Sequence, residues 1–239
     1  MRIWAIADLH LSFANPKPMD IFGPNWHDHA AHIAALWHKL VAPDDVVLLA
    51  GDTSWALRLP EALPDLEWLA ALPGQKVLTK GNHDYWWDYA RKRPAILPAS
   101  LALIEADAVV LNGWVFCGTR GWLTPGQATF KPEKDERIYR RELGRLERAL
   151  AAAHRLQTNG EQLGVLLHYP PFLFDGTATA FAEQLAAAQA NFCVYGHLHR
   201  RHDWQQAVQG ERAGVIYHLT SCDFLNFMPR LIWTDHQPS

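Results

Sequence analysis

The chain has 239 residues, of which 49% are of apolar types and 20% are charged. These proportions exclude a disordered chain and a coiled coil, and they are typical of a globular protein with a sizeable core. Its 22 Lys and Arg against 25 Asp and Glu give a net charge of -3, which argues against general attraction to nucleic acid or an anionic membrane.

The cysteines and the apolar runs predict the compartment. The three cysteines, Cys117, Cys193 and Cys222, are odd in number and form no CxxC pair, which argues against a disulfide framework. Asp8 interrupts the opening apolar stretch, and no apolar run reaches the roughly 18 residues of a membrane span. We therefore expect reduced thiols, no membrane span and a cytoplasmic location.

Short apolar runs alternate with helical patterns along the chain. The runs that predict strands are Ile3–Ala7, Val46–Ala50, Lys76–Thr79, Ala108–Leu111, Val115–Cys117, Leu163–Leu167, Phe192–Tyr195 and Val215–Leu219. Apolar residues at three- and four-residue spacing predict helices over His29–Val41, Glu61–Leu72, Asp135–Ala153 and Thr179–Gln189. This alternation is typical of the α/β class.

Two glycine turns add antiparallel pairing to this pattern. Asn112-Gly113 between two β-rich runs predicts a two-residue hairpin, and Gln209-Gly210 precedes a further strand. We therefore expect a mixed sheet or two packed sheets. Because no repeat or long linker divides the chain, residues 1–239 are expected to form one domain.

Residues that bind metals follow five of the predicted strands. In α/β proteins, sites lie at the end of the sheet where parallel strands finish. The five groups are Asp8-Leu9-His10, Gly51-Asp52, Gly81-Asn82-His83-Asp84, His168 and Gly196-His197-Leu198-His199. An Asp or His at a single strand end is a capping or hydrogen-bonding residue more often than a metal ligand, whereas five such groups together favour a metal site.

Local geometry supports this interpretation. In an extended strand end, Asp8 and His10 would point to one face around Leu9, and His197 and His199 would do the same. A glycine precedes three of the candidate ligand positions, where a missing Cβ allows a sharp turn or a close approach.

The number of candidate ligands predicts two metal ions. Seven side chains are too many for one tetrahedral ion: Asp8, His10, Asp52, Asn82, His168, His197 and His199. Oxygen and imidazole ligands without thiolate favour Mn, Fe, Zn or Co, and Asp52 could bridge both ions. A centre of this kind retains positive charge for an anionic substrate such as a phosphate ester and stabilises in-line phosphoryl displacement.

The order DxH, GD, GNH, a lone His and GHxH resembles the calcineurin-like metallophosphoesterases. The resemblance covers most of the chain and implies a four-layer αββα sandwich of two mixed β-sheets flanked by helices. It also implies that Asp8, His10, Asp52 and His199 hold one ion, and that Asp52, Asn82, His168 and His197 hold the other. His83 resembles the family's non-ligand histidine, which contacts the phosphate and protonates the leaving oxygen.

Differences from known subgroups narrow the resemblance. The block that begins at Gly51-Asp52 lacks the second Asp and the Arg of protein Ser/Thr phosphatases, and His83 stands where lipid A pathway hydrolases have Arg. The segments around Gly51, Gly81 and Gly118 are most similar to a bacterial branch described as predicted phosphohydrolases.

These features predict a dinuclear metal-dependent phosphohydrolase that acts on small-molecule phosphate monoesters or diesters by attack of a metal-bound hydroxide. A nuclease or cyclic nucleotide phosphodiesterase with the same site is an alternative, although the net charge argues against a polyanionic substrate. A metal-binding scaffold without turnover is another alternative, but in such a protein we would expect some ligand residues to be replaced.

Several nearby residues have two possible roles. Arg120 could bind a phosphate oxygen or form a surface salt bridge, and Asp84 could orient His83 or cap the next segment. His83 itself could be structural. The charged helix Asp135–Ala153 is predicted to be a solvated face rather than a nucleic-acid surface. A set of aromatic residues could line the mouth of the site or pack loops: Trp55, Trp86, Trp87, Trp122, Phe172 and Phe174. A set of histidines could form a third metal site or an exposed patch: His27, His29 and His32.

Overall fold

The computed structural model describes residues 1–235, and this range contains eleven strands. The strands are β1 (Arg2–Ile6), β2 (Val46–Leu49), β3 (Gln75–Thr79), β4 (Leu101–Ile104), β5 (Ala108–Leu111), β6 (Trp114–Thr119), β7 (Gln162–Leu167), β8 (Phe192–Tyr195), β9 (Gly210–Arg212), β10 (Val215–Leu219) and β11 (Arg230–Thr234).

Six α-helices lie between these strands in the described residues. They are α1 (His29–Leu40), α2 (Leu59–Ala71), α3 (Trp87–Arg91), α4 (Pro132–Leu156), α5 (Ala180–Ala187) and α6 (Arg201–Gln206). Within residues 1–235, none of the helices combines the length and apolar character needed to cross a membrane.

The strands form two mixed sheets. The first has the order β11-β1-β2-β3-β4, in which β11 is antiparallel to β1 and the other neighbours are parallel. The second has the order β5-β6-β7-β8-β10-β9, with parallel pairs at its centre and antiparallel pairs at both edges. The predicted mixed α/β architecture is therefore confirmed.

The pleat of β1 shows how the layers are held together. Ile3 and Ala5 face a core between the two sheets, where they join Phe116 of β6 and Leu166 of β7. Trp4 on β1 belongs instead to the core under the helices of the first sheet. Because both faces of the central strands are covered, their nearly continuous apolar sequence is explained.

The outer layers are two groups of helices. Ile33 and Trp37 of α1, with Leu66 of α2, pack on the first sheet. Leu146 of α4 and Phe181 of α5 pack on the second. The resulting four layers, helix, sheet, sheet and helix, are the αββα sandwich implied by the resemblance.

All eight predicted strands and all four predicted helices are present, with ends shifted by a few residues. The Asn112-Gly113 hairpin joins β5 to β6 as predicted. The sequence interpretation missed β4, β9 and β11, which lie at sheet edges and are partly exposed. It also missed α3 and α6, which have five and six residues and are too short to show a helical period.

A buried lysine joins the first sheet to a helix end. Lys76 of β3 is 1% exposed, and its ammonium donates to the carbonyls of Ala70 and Leu72 at the end of α2. Burial lowers the pKa of Lys76 to about 8. Its stabilising contacts therefore compete with the desolvation of the charged amine.

We expect this lysine to give the stability a distinctive pH dependence. Between about pH 8 and the usual lysine pKa of about 10.4, the unfolded chain holds a proton that the folded chain has lost, so rising pH favours the fold. Urea unfolding at pH 8 to 10 should show the free energy of unfolding of the wild type rising relative to that of Lys76→Met. For the exposed-site variant Lys92→Met, the free energy of unfolding should change with pH as it does for the wild type. A difference in this free energy between wild type and Lys76→Met that stays constant with pH would contradict the expectation.

Candidate metal centre

The five groups predicted from strand ends meet at one place. β1, β2 and β3 are adjacent parallel strands of the first sheet, and β7 and β8 are adjacent parallel strands of the second. The imidazoles of His10 and His199, which are 189 residues apart, approach to 3.5 Å between Nε2 atoms. The backbone N–H of His197 donates to Asp8 at 3.0 Å. The two sheets therefore bring the predicted residues together across their common edge.

Four of the seven predicted ligand residues have left-handed backbone. The φ angles are 60° at Asp8, 49° at His10, 52° at Asp52 and 74° at His197. The expectation of an extended strand end was therefore wrong for Asp8 and His10 and also for the pair His197 and His199, because Asp8, His10 and His197 turn the chain sharply. Such conformations are uncommon for residues with a Cβ and are concentrated at functional sites.

Two glycines allow the carboxylates to lie against backbone. A Cβ added at Gly81 would overlap Oδ1 of Asp52, and one added at Gly196 would overlap Oδ2 of Asp8. Both separations would be far below van der Waals contact. The predicted close approach before a ligand position is thus present at these two glycines, and in each case the carboxylate comes from another strand end.

Asp8, His10 and His199 form the first candidate metal-binding group. Their ligand atoms all lie within 4.8 Å of one another. His199 donates from Nδ1 to Oδ2 of Asp223 at 3.0 Å, which leaves its Nε2 facing His10. A histidine whose second nitrogen binds a carboxylate in this way is typical of metal sites, because the carboxylate orients the ring and raises its basicity.

A second group surrounds His168. Its Nδ1 donates to the carbonyl of Ala50 at 2.9 Å, so Nε2 presents only a lone pair. That lone pair faces Oδ1 of Asn82 at 2.8 Å and Nδ1 of His197 at 3.2 Å, and Oδ2 of Asp52 is 3.5 Å away. Asp8, Asp52 and His168 also have ligand atoms within 4.8 Å of one another.

The site is deeply desolvated. Burial raises the pKa of Asp8 to about 8 and raises the pKa of Asp52. Burial also lowers the pKa of His168 to about 3 and lowers the pKa values of His10 and His197. Removal from water therefore favours neutral imidazoles, whose lone pairs are available as ligands.

His199 is different because it faces carboxylates. Burial lowers its pKa, but the hydrogen bond to Asp223 and the charges of Asp8 and Asp223 outweigh burial and raise that pKa to about 9. This part of the site therefore attracts positive charge.

The donor chemistry fits metal ions. Nε2 of His168 and Oδ1 of Asn82 are both acceptors when Nδ1 of His168 donates to Ala50, and Nδ1 of His10 is buried without a hydrogen-bond partner in residues 1–235. Converging lone pairs of oxygen and nitrogen, without thiolate, are the ligands preferred by intermediate transition-metal ions. The residues present therefore suit divalent metal ions.

His83 lies beside this group and contacts an aromatic wall. Its backbone N–H donates to Oδ1 of Asp52 at 2.8 Å, and its ring lies 4.2 Å from that of Trp55. Trp55 also stacks on His10 at 4.7 Å. Burial lowers the pKa of His83, the charge of Asp52 raises it, and the charge of Lys17 lowers it. His83 is therefore close to the ligand groups, while its ring nitrogens have no hydrogen-bond partner in the described chain.

Asp84 joins two of the ligand loops. It accepts hydrogen bonds from the backbone N–H groups of Thr53, Ser54 and Gly81 and from Nε1 of Trp86. Neither predicted alternative was right, because its carboxylate orients the loops after β2 and β3 rather than His83 or a helix end. It is 0% exposed, and these donors take the place of water around the buried carboxylate.

Arg120 is held in an ion pair with a buried acid. Its guanidinium lies 3.4 Å from Oε1 of Glu142, which is fully buried, and 4.4 Å from the centre of the Trp122 ring. The pair is therefore not the surface salt bridge considered from the sequence. Binding of a phosphate oxygen by Arg120 stays a prediction.

The remaining alternatives have mixed outcomes. Trp86, Trp87 and Phe172 are buried and pack loops, whereas Trp55 lines the site and Phe174 is exposed. His29 contacts the carbonyls of Leu9 and Trp26, and His27 and His32 are exposed. His29 therefore supports the loop after β1, and the other two histidines form an exposed patch. Along α4, Arg140 pairs with Glu136, as predicted for a solvated helix face, but Glu142 on the same helix is buried.

Asp223 lies at the candidate site and was missed by the sequence interpretation. It follows β10, a strand parallel to β8, so its carboxylate reaches the same edge as the five predicted groups. Cys222 also donates from Sγ to the carbonyl of Asp8 at 3.0 Å. The rule applied to the other strand ends could have identified Asp223, because an acidic residue follows this strand too.

The calcineurin-like phosphoesterase family has a sequence pattern that matches residues 1–201, a range that contains all seven candidate ligands and His83. The chain belongs to this family. The resemblance drawn from the five motif groups is thereby confirmed.

Sequence relatives of this phosphoesterase family member cover only part of its length. Gene 66 protein of Mycobacterium phage D29 is 40% identical over 84 residues, which are 35% of this chain and 40% of the phage protein. Gene 66 protein of Mycobacterium phage L5 is 31% identical over 81 residues, which are 34% and 39% of the two chains. The chain thus spans about two fifths of the length of these relatives.

Solved structures resemble the whole fold. Phosphopantetheinyl hydrolase from Mycobacterium tuberculosis has a TM-score of 0.57 at 17% identity, and the match covers 100% of this chain and 98% of that one. TT1561 of Thermus thermophilus also has a TM-score of 0.57, at 14% identity, covering 90% and 88%. At these identities the likeness concerns the fold.

Gly81 offers a test of the close approach in the site. Gly81→Ala places a methyl group on the Asp52 carboxylate and its backbone, so we expect a metal affinity lowered by roughly 10- to 100-fold, as when support around a ligand is lost. Manganese binding measured by calorimetry would check this. Gly144→Ala is the matched control, because its Cβ meets only the end of Arg148, and it should bind manganese normally. Normal binding by Gly81→Ala would contradict the expectation.

Proposed function

We propose that this chain hydrolyses phosphate esters of small molecules with two transition-metal ions, drawn from Mn, Fe, Zn or Co. The observation that carries the proposal is the convergence of seven oxygen and imidazole ligands from five strand ends into overlapping groups. Membership of the calcineurin-like phosphoesterase family supports the same chemistry. The proposal includes both phosphate monoesters and phosphate diesters as substrates.

We assign Asp8, His10 and His199 to one ion, and Asn82, His168 and His197 to the other, with Asp52 between them. Oδ2 of Asp52 lies 3.9 Å from Nε2 of His10 and 3.5 Å from Nε2 of His168, which supports a bridging role. Asp8 also has a ligand atom close to both groups. However, the nearest His168 atom to Asp8 is Nδ1, which already donates to Ala50, so we favour Asp52 as the bridge.

When bound, the ions would supply charge that activates a water nucleophile and neutralises phosphoryl oxygens. The residues of this chain do the rest. Asp52 and Asp8 orient the site through the backbone N–H groups of His83 and His197, and Asp223 holds the ring of His199. The imidazolium form of His83 would donate its proton to the leaving oxygen and become neutral imidazole, which regains a proton from solvent, because an alkoxide leaves poorly without a proton.

The nuclease and scaffold alternatives are less well supported. A polyanion would need a basic surface, whereas the chain has a net charge of -3. A scaffold would have no need for seven aligned ligand side chains.

We also propose a cytoplasmic location. The three cysteines are free and buried, and burial raises the pKa of Cys117, Cys193 and Cys222. They are therefore unreactive thiols, in keeping with a reducing compartment.

Asp52 tests the two-ion proposal. Wild-type protein stripped with a chelator should be inactive on nitrophenyl phosphate and bis-nitrophenyl phosphate, and manganese should restore turnover. Asp52→Asn should lose roughly 100-fold or more in metal affinity, because one charge of the bridge disappears, and should lose turnover with it.

Metal content by mass spectrometry and turnover are measured together for this variant. Asp44→Asn, at an exposed position, is the control and should behave as wild type. Full metal content and normal turnover in Asp52→Asn would refute the two-ion proposal. Two bound ions without turnover on either ester would favour the scaffold.

His83 tests the proton transfer. His83→Ala should keep both ions yet lose about 10²- to 10⁴-fold in kcat on an alkyl phosphate, and much less on a nitrophenyl ester, whose leaving group needs no proton. The exposed-site variant His202→Ala should match the wild type on both. Equal losses on the two esters would indicate phosphate binding by His83, and a lower melting temperature with unchanged rates would indicate a structural role.

A further inference from the structure

A small cavity of about 220 Å³ lies against Trp55. Its lining includes Ser12, Asn15 and Lys17 from the segment after β1, and Glu61 and Asp65 from α2. Trp55 is the wall that the cavity shares with the candidate metal centre, because its ring contacts both His10 and His83. The cavity and the His83 side of the centre are therefore neighbours that share this ring.

Among the residues that line this cavity, Lys17 is the cation and Glu61 and Asp65 are the acids. Asp65 accepts hydrogen bonds from the backbone N–H of Phe13 and from Oγ of Ser54. Glu61 accepts one from the backbone N–H of Leu57. Within residues 1–235, no carboxylate lies within ion-pair distance of the Lys17 ammonium, which instead lies 4.5 Å from the centre of the Trp55 ring.

The segment that carries Lys17 is fixed at several points. The backbone N–H of Lys17 donates to Oγ of Ser12 at 3.0 Å, and that of Phe13 donates to Asp65 at 2.8 Å. Met19 is buried and its sulfur accepts from Nε1 of Trp55 at 3.1 Å. The backbone at Lys17 is therefore fixed, and its exposed side chain lies over the tryptophan through the cation–π contact.

The faces of Trp55 are already used. His10 stacks on the ring with an interplanar angle of 23°, and Lys17 lies over it. An aromatic ligand would have to displace one of them to stack there. The free recognition element of the cavity is consequently the ammonium, which binds anions by charge-assisted hydrogen bonds.

We propose that Lys17 selects substrates whose leaving alcohol carries a second anionic group, a carboxylate or another phosphate. This inference rests on the proposed phosphoester hydrolysis. The cavity is smaller than the roughly 300–1,000 Å³ of pockets that enclose drug-sized ligands, and a short leaving chain would fill it. The substrate class is therefore a compact phosphate ester with a distal anion.

Binding provides a test that does not need turnover. With manganese present, calorimetry compares butylphosphonate, 4-phosphonobutanoate, butane-1,4-diphosphonate and 4-aminobutylphosphonate, none of which can be hydrolysed as an ester. We expect the two probes with a distal anion to bind about tenfold more tightly than butylphosphonate at low salt, and the aminobutyl probe to bind more weakly. The ratio of the two anionic probes distinguishes a carboxylate from a phosphate, and salt should reduce both preferences.

The variants isolate the ammonium. Lys17→Met should remove the preference for a distal anion, and Lys17→Arg should restore most of it because the cation remains. Lys39→Met, at an exposed position on α1, is the matched control and should keep the wild-type preference. The kcat/KM values for 4-phosphonooxybutanoate and butyl phosphate should show the same pattern among the four proteins.

The outcomes separate the two proposals. Anion-selective binding that depends on Lys17, without turnover of any ester, would support the subsite and refute phosphoester hydrolysis. Turnover of both esters with no preference, or a preference that survives in Lys17→Met, would refute the subsite and leave hydrolysis supported. Neither turnover nor selective binding would refute both.

Discussion

The desolvation of carboxylates and imidazoles at the common edge of the two sheets is the constraint on which the rest of the structure depends. Asp8 and His168 are fully buried, and burial disfavours the charged form of each. Such a cluster is costly unless charge is supplied to it, and divalent cations would supply that charge. The same lone pairs that suit metal binding are thus unfavourable for folding without a cation.

Much of the surrounding architecture holds these groups in place. Left-handed backbone at Asp8, His10, Asp52 and His197 turns each loop sharply, and such conformations persist only where neighbouring structure enforces them. Asp84 provides part of this support, since four donors from two loops converge on its carboxylate. The double sheet provides the rest by fixing both sets of strand ends.

Trp55 links the centre to the region where substrate would be selected. Its ring lies against His10 and His83 on the side of the ligands and under Lys17 on the side of the cavity. The proposed proton donor and the proposed anion-binding residue are therefore neighbours of one side chain. A change in Trp55 would be expected to affect both proton transfer and selectivity.

Composition and motif order determined a large part of this description. The α/β class, the central strands and the family follow from apolar runs that end in metal-binding residues, because burial and ligand chemistry leave local patterns in a sequence. A single domain over residues 1–239 stays a prediction. The edge strands β4, β9 and β11 were missed because their half-exposed sequences form strands only beside a neighbour. Only the tertiary structure decided that Asp223 holds His199, that Asp84 joins two loops and that Lys17 lies over Trp55. These contacts join residues 24, 31 and 38 positions apart, and a strand-end pattern indicates which residues share a sheet edge but not which individual side chains will pair.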